Sequence, residues 1–258
     1  MSAVASFRSS EDATKKCSSF EFNPNGQKAA IVTERTVNFV DVEKSLQVTE
    51  TFPIDAKGNL NAIGWNPHSA GTTLAVSYDG GVRAIDTRSL DDQFHIVNAN
   101  PPTCRSLDFN PNMQYMLATC GDDCRVALWD TRSVKEPVKT LNDHSHWVWC
   151  VRFNPIHDQL ILSGGSDARL FLNSVASLSS DALQSAEADI SIEDAINSEP
   201  MTKKLSDERL EKVEEHEDSV YACAWAANDP WIFASLSFDG RVIISRVKRH
   251  HKYAILRL

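Results

Sequence analysis

A chain of 258 residues, 42% hydrophobic and 24% charged, can bury one sizeable core, and one all-β domain can use up that length. A formal net charge of −9 argues against a general nucleic-acid binder, which carries a basic excess. The N-terminus has no apolar run of signal-peptide length and no stretch is long and apolar enough to span a bilayer, so a cytoplasmic protein without direct membrane insertion is expected.

Residues 1–16 read as an N-terminal tail. Repeats follow near 17–54, 57–100, 101–141, 144–178 and 216–258. The first marker is an aromatic-Asn-Pro triplet: Phe22-Asn23-Pro24, Trp65-Asn66-Pro67, Phe109-Asn110-Pro111 and Phe153-Asn154-Pro155, at spacings of 43, 44 and 44. Trp225 follows after 72, which is one period plus an insertion of 28. A second marker keeps step, because Asp79, Asp123, Asp167 and Asp239 are spaced 44, 44 and 72. Two independent markers with one period establish a repeat architecture.

Each unit reads as four short strands. In the third, Ser106 to Asn110 alternates, and Pro111, which has no N–H for a ladder, ends the strand. Tyr115 to Thr119 is a continuous apolar run, as in a strand covered on both faces. Asp122-Asp123 makes a tight turn whose carboxylate can accept local amides. Val126 to Asp130 is the third strand, and Pro137 to Leu141 fits an outer one. A four-stranded unit of this period resembles the WD40 β-propeller blade. His144 precedes Val148, Val151 and Phe153 by 4, 7 and 9 residues, and His216 precedes Val220, Cys223 and Trp225 likewise. The third unit carries Trp129-Asp130 itself. Departures are Ile85-Asp86, Asn173-Ser174 and the absence of a His before the second and third units. The hydrogen-bonded networks of the blade are therefore expected to be incomplete. Five units are visible where such rings most often have seven. The expectation is an open, N-terminally shortened arc with an apolar blade face exposed at its N-terminal end.

From Ser179 to Glu215 eleven acidic residues face four basic ones, a net of −7, with little apolar content. This segment is expected to be a disordered acidic insertion, 179–215, with a short charged helix over Leu205 to Val213. The run Lys248-Arg249-His250-His251-Lys252 reads as a solvated strand end.

No catalytic constellation is expected. His144, Ser163 and Asp167 form the residue set of a hydrolase triad, but they fall in the slots where the blade ties its turns together, as do His216, Asp239, Asp123 and Trp129. Ser163 is thus expected to be structural, and nothing nearby suggests an oxyanion hole. Cys17, Cys104, Cys120, Cys124, Cys150 and Cys223 form no C-x-x-C pair and read as reduced core thiols. Cys120 with Cys124, and His144 with His146, lack the further ligands of a metal site. No cofactor is expected, since Ser163-Gly164-Gly165-Ser166 lacks the Lys of a phosphate-binding loop.

The repeat frame places Asn59, Thr103, Trp147 and Ser219, and then Tyr78, Asp122, Ser166 and Phe238, on one rim. Of these, Trp147, Tyr78, Phe238, Asp122, Ser219 and Asn59 are the expected partner-binding residues, since exposed aromatics are enriched at interface hot spots. A second possibility comes from Trp129-Asp130-Thr131-Arg132 and its parallel Asp86-Thr87-Arg88. These resemble the W-D-x-R motif of substrate receptors for cullin-RING ubiquitin ligases, in which Arg132 and Arg88 would contact the ligase adaptor; either Arg could instead cap its own strand end.

More specific segments are Glu136-Pro137-Val138-Lys139-Thr140-Leu141, His144-Ser145-His146-Trp147-Val148-Trp149, His157-Asp158-Gln159-Leu160, Glu215-His216-Glu217-Asp218-Ser219-Val220-Tyr221 and Asp229-Pro230-Trp231-Ile232-Phe233-Ala234. With the following Ser235-Leu236-Ser237-Phe238-Asp239-Gly240-Arg241, they resemble the EARP and GARP complex-interacting protein family, also called the tumour-suppressing subtransferable candidate family. The resemblance is strong from about Cys104 onward. It implies a WD40 adaptor of the EARP and GARP tethering complexes, serving endosomal recycling, endosome-to-Golgi transport and secretory-granule cargo sorting. It also implies a peripheral location at the trans-Golgi network and endosomes.

Overall fold

The computed structural model describes residues 17–43, 48–182 and 206–256. The described residues form five antiparallel sheets, each a WD40-type blade whose strands follow one another in sequence. The first blade is β1 (Cys17–Phe22), β2 (Lys28–Thr33), β3 (Thr36–Asp41) and β4 (Val48–Pro53). The second is β5 (Leu60–Trp65), β6 (Thr73–Tyr78), β7 (Gly81–Asp86) and β8 (Asp92–Ile96). The third is β9 (Cys104–Phe109), β10 (Met116–Gly121), β11 (Val126–Asp130) and β12 (Lys139–Leu141). The fourth is β13 (Val148–Phe153), β14 (Leu160–Gly165), β15 (Leu170–Ser174) and β16 (Glu208–Val213). The fifth has three strands, β17 (Val220–Trp225), β18 (Ile232–Ser237) and β19 (Val242–Arg246), followed by helix α1 (Arg249–Leu256).

The chain divides into two compact units. The first holds the first three blades. The inner strands of the second blade are apolar on both faces because its sheet is pressed between the first and the third. Val32, Val37 and Phe39 of the first blade meet Ile63, Trp65 and Leu74 of the second. Ala75, Val82 and Ala84, from the other face of the second blade, meet Leu107, Leu117 and Trp129 of the third. The second unit holds the fourth and fifth blades with Asn110–Met113. Leu160, Leu162 and Leu172 pack there on Val220, Trp231 and Phe233. The approach is close at Gly164, where a Cβ would stand 2.8 Å from Val220 Cγ1.

The aromatic-Asn-Pro triplet has a local cause. Asn154 Oδ1 accepts the amides of Ile156 and His157 at 3.0 and 2.9 Å, closing the turn after the first strand. Asn110 Oδ1 accepts those of Asn112 and Met113, both at 2.8 Å. The amide nitrogens then join blades: Asn66 Nδ2 donates to Gln114 O at 3.1 Å, and Asn154 Nδ2 to Pro230 O at 2.6 Å. The preceding aromatic is buried in Trp65, Phe109 and Phe153. Phe22 departs from them at 54% exposure, with Phe20 edge-on to it at 6.2 Å. Both lie on the face of the first sheet turned away from the second.

Two local expectations are corrected. Glu208–Val213 is neither helix nor insertion but the outer strand of the fourth blade, paired with β15. Its polar sequence suits a strand that is covered on one side only: Leu210 and Val213 pack inward, and the Arg209 guanidinium lies 5.5 Å over the Phe171 ring. The central part of the acidic insertion, 183–205, lies outside the described residues. Its entry is anchored by Asp158, which accepts the Ser180 amide at 2.9 Å and hydroxyl at 2.8 Å. The basic run 248–252 is no strand end either, because β19 stops at Arg246 and the run opens α1. Ile255 is buried in the core, and Lys252 Nζ lies 5.2 Å over the Trp231 ring.

Candidate interaction surface

The candidate triad is assembled, and twice. His144 Nδ1 lies 3.0 Å from Asp167 Oδ1 and its Nε2 lies 3.0 Å from Ser163 Oγ. One blade on, His216 Nδ1 lies 3.0 Å from Asp239 Oδ2 and its Nε2 lies 2.8 Å from Ser235 Oγ. Ser163 is only 2% exposed and Ser235 is buried, so no substrate reaches either hydroxyl. The duplicated set ties the interblade connection to the turn between the second and third strands. Burial pushes the Asp167 carboxyl up, but hydrogen bonds from His144 and from the Ser145 and Arg169 amides outweigh it and hold it below its usual value. The same opposition brings Asp239 down to about 2, with the Glu217 and Arg241 amides and His216 outweighing desolvation.

The third blade has a different network. Asn100 occupies the His slot, and its Nδ2 donates to Asp123 Oδ1 at 3.0 Å. Trp129 Nε1 donates to Thr119 Oγ1 at 3.0 Å. In the fourth blade the Trp slot holds Asn173, whose Nδ2 donates to Asp143 Oδ2 at 3.0 Å. Among the described residues no blade thus carries His, Ser, Asp and Trp together. The period alone could have found Asn100, which stands 44 residues before His144.

All six cysteines are free thiols. Cys104, Cys120, Cys150 and Cys223 are buried, whereas Cys17 is exposed and Cys124 half-buried, so the reading as core thiols fits four of the six. Among the described residues no three His, Cys, Asp or Glu side chains cluster as metal ligands, and no helix is long and apolar enough to cross a membrane.

The expected rim residues have different fates. Trp147 is 42% exposed, edge-on to His146 at 5.0 Å and to Trp149 at 6.4 Å. Trp149 Nε1 donates to Ser166 Oγ at 2.5 Å, which fixes the indole. In the same unit Phe238 is 64% exposed and lies tilted against Tyr221 with ring centroids 4.5 Å apart. Ser219 beside it is half-buried, and its carbonyl accepts the Phe238 amide at 3.1 Å. Trp149 and Tyr221 were missed in the sequence frame. Their signal is an aromatic immediately after the first-strand Val, at Val148-Trp149 and at Val220-Tyr221.

The first-unit residues are less available. Tyr78 is half-buried, stacked on His95 at 5.8 Å with its hydroxyl bonded to the imidazole. The Asp122 side chain is 8% exposed and clamped by Arg105, whose Nη2 lies 3.1 Å from Oδ2. Its charge is thus already matched within its own blade. Asn59 is exposed. Arg132 folds back on Asp130, with contacts of 2.6 and 2.9 Å, and lies 4.7 Å over the Tyr115 ring. Arg88 returns to Asp86 at 3.1 Å. Each Arg closes the end of its own strand.

Comparison with known proteins agrees with this geometry. The profile of the EIPR1 beta-propeller matches residues 9–173, and that of the WD domain, G-beta repeat, matches 207–244. The chain is 41% identical over 246 residues to "EARP-interacting protein 1" of Caenorhabditis elegans, covering 93% of this chain and 67% of that one. It is 44% identical over 248 residues to "EARP and GARP complex-interacting protein 1" of Homo sapiens, covering 93% and 64%. "WD repeat-containing protein DWA2" of Arabidopsis thaliana is 34% identical over 227 residues, covering 87% and 61%. The chain therefore spans about two thirds of the length of these relatives. With blades of this type in place and such likeness along nearly its whole length, the chain belongs to the EIPR1 β-propeller family.

Proposed function

We propose that this chain is a non-catalytic adaptor that binds vesicle-tethering complexes of the EARP and GARP type. It acts in endosomal recycling, endosome-to-Golgi transport and secretory-granule cargo sorting, as a cytoplasmic protein peripheral to the trans-Golgi network and endosomes. The reading is carried by the likeness, over 93% of the chain, to relatives whose names state that interaction. The contact surface is the aromatic set of the fourth and fifth blades, Trp147 with Trp149 and Phe238 with Tyr221, which offers rigid apolar area beside exposed His146 and Asp218. Affinity capture with the tagged chain, against a full-length relative as positive control, is expected to recover tether subunits. Recovery by the relative alone would refute the adaptor reading for this chain. The ligase-receptor reading needs Arg132 or Arg88 to leave its own Asp, and the observed pairs favour the role of strand-end cap.

A further inference from the structure

The third blade contains a recess of about 410 Å³ that the fourth blade fills from within. Ala127 and Trp129 of β11 line it, together with Pro101, Asp123, Arg125 and Thr140. Forty-four residues after Ala127 stands Phe171, which is buried and packs edge-on against His144 at 4.6 Å. Arg209, reaching over Phe171 from β16, closes the same place and comes 3.4 Å from Asp143. The third blade carries other residues at these positions: Ala127 stands for Phe171, Asn100 for His144, and the proline-bearing approach to β12 for the arginine strand.

The carboxylate beside the recess has also lost a donor. In three blades the turn Asp takes a backbone amide on Oδ2 from one repeat position. Lys57 donates to Asp79, Ser145 to Asp167 and Glu217 to Asp239, each at 3.0 Å. In the third blade that position is Pro101, which has no N–H. The bonds that Asp123 receives from other described residues, from Asn100 Nδ2 at 3.0 Å and the Arg125 amide at 3.2 Å, both go to Oδ1. Burial leaves the Asp123 carboxyl above its ordinary value, although Asn100 and Arg125 partly offset it, whereas Asp167 and Asp239 are held below theirs. At the exposed mouth, Arg125 makes no ion pair among the described residues, while its counterparts Arg169 and Arg241 bond Glu214 at 3.1 Å and Glu217 at 2.7 Å.

We propose that this recess receives an arginine side chain of a partner polypeptide, its guanidinium on Asp123 and its stem along Trp129 and Ala127, with an acidic neighbour of that arginine on Arg125. The fourth blade shows a related arrangement, an arginine laid over an aromatic ring and turned toward a carboxylate, there Asp143, whose counterpart in the third blade is Ala99. A planar guanidinium suits this site because it stacks and donates at once. The inference stands apart from the tether reading, since every group in it lies in the first unit.

The test is an NMR titration of the whole chain with the dipeptide N-acetyl-Arg-Asp-amide, followed at the Trp129 indole N–H, with the neutral citrulline isostere as control. The arginine peptide should shift that resonance saturably, with a dissociation constant on the order of 1 mM, and citrulline should bind at least about tenfold more weakly. Ala127→Phe, which refills the recess as the fourth blade does, should abolish the shift. Thr140→Arg fills it from β12 and serves if Ala127→Phe does not fold. Trp147→Ala should leave the titration unchanged, which separates this site from the aromatic surface. No saturable shift, an equal response to citrulline, or an unchanged response in a folded, filled variant would overturn the proposal.

Discussion

His144→Ala is expected to lower stability by about 1–3 kcal/mol, the usual cost of leaving a buried polar group without its hydrogen-bond partner. The His144 and Asp167 side chains are 2% and 4% exposed, and the carboxylate left behind keeps only the Ser145 and Arg169 amides of its partners. The edge contact with Phe171 at 4.6 Å is lost as well. Against a typical total of about 5–15 kcal/mol, this loss is a substantial share of the stability. His144→Asn should cost less, because Asn100 in the same slot of the third blade still reaches its Asp. The measurement is the urea midpoint, with the slope unchanged. The penalty has a sign in pH. Asp167 is held below its usual value in the fold, so its contribution is complete above the ordinary carboxylate value of 3.8 and is lost as pH falls through the lower folded value. The gap between wild type and His144→Ala should therefore narrow below pH 3.8. An equal gap at low and neutral pH would mean that the imidazole acts through packing alone.

Trp147→Ala is expected to weaken tether capture by about 2 kcal/mol, roughly 30-fold, the size of a hot-spot truncation. The fold should survive, because the indole is 42% exposed and β13 begins only at the next residue. The effect should appear in the dissociation rate, since the side chain carries no charge to steer encounter. Titration calorimetry of the purified variant with tether subunits reads it. An unchanged affinity with an unchanged melting temperature would remove Trp147 from the surface.

The blades were legible in the sequence because each marker has a local physical duty. Asn110 and Asn154 close turns on their own following amides, and Asp123, Asp167 and Asp239 do so at the opposite end. Such bonds span two or three residues, so they leave a fixed spacing. The outer strand β16 was not legible. Its residues Glu208 to Val213 face a neighbour on one side only, and their strand state is set by pairing with β15, far across an insertion. Helix α1 was hidden for a related reason: Ile255 and Lys252 take their places from the core and from Trp231, contacts that a basic run does not announce. Of the rim residues, Trp147 and Phe238 stand out in the open as the repeat frame placed them. Asp122 does not, because Arg105, two positions after Thr103, reaches back to cover it.

The adaptor account is tested most directly by hydrogen–deuterium exchange of the chain with and without purified EARP or GARP complex. The account predicts slowed exchange in the segments that present Trp147, Trp149, Tyr221 and Phe238, in the fourth and fifth blades. Unchanged exchange throughout, or protection confined to the first three blades, would contradict it.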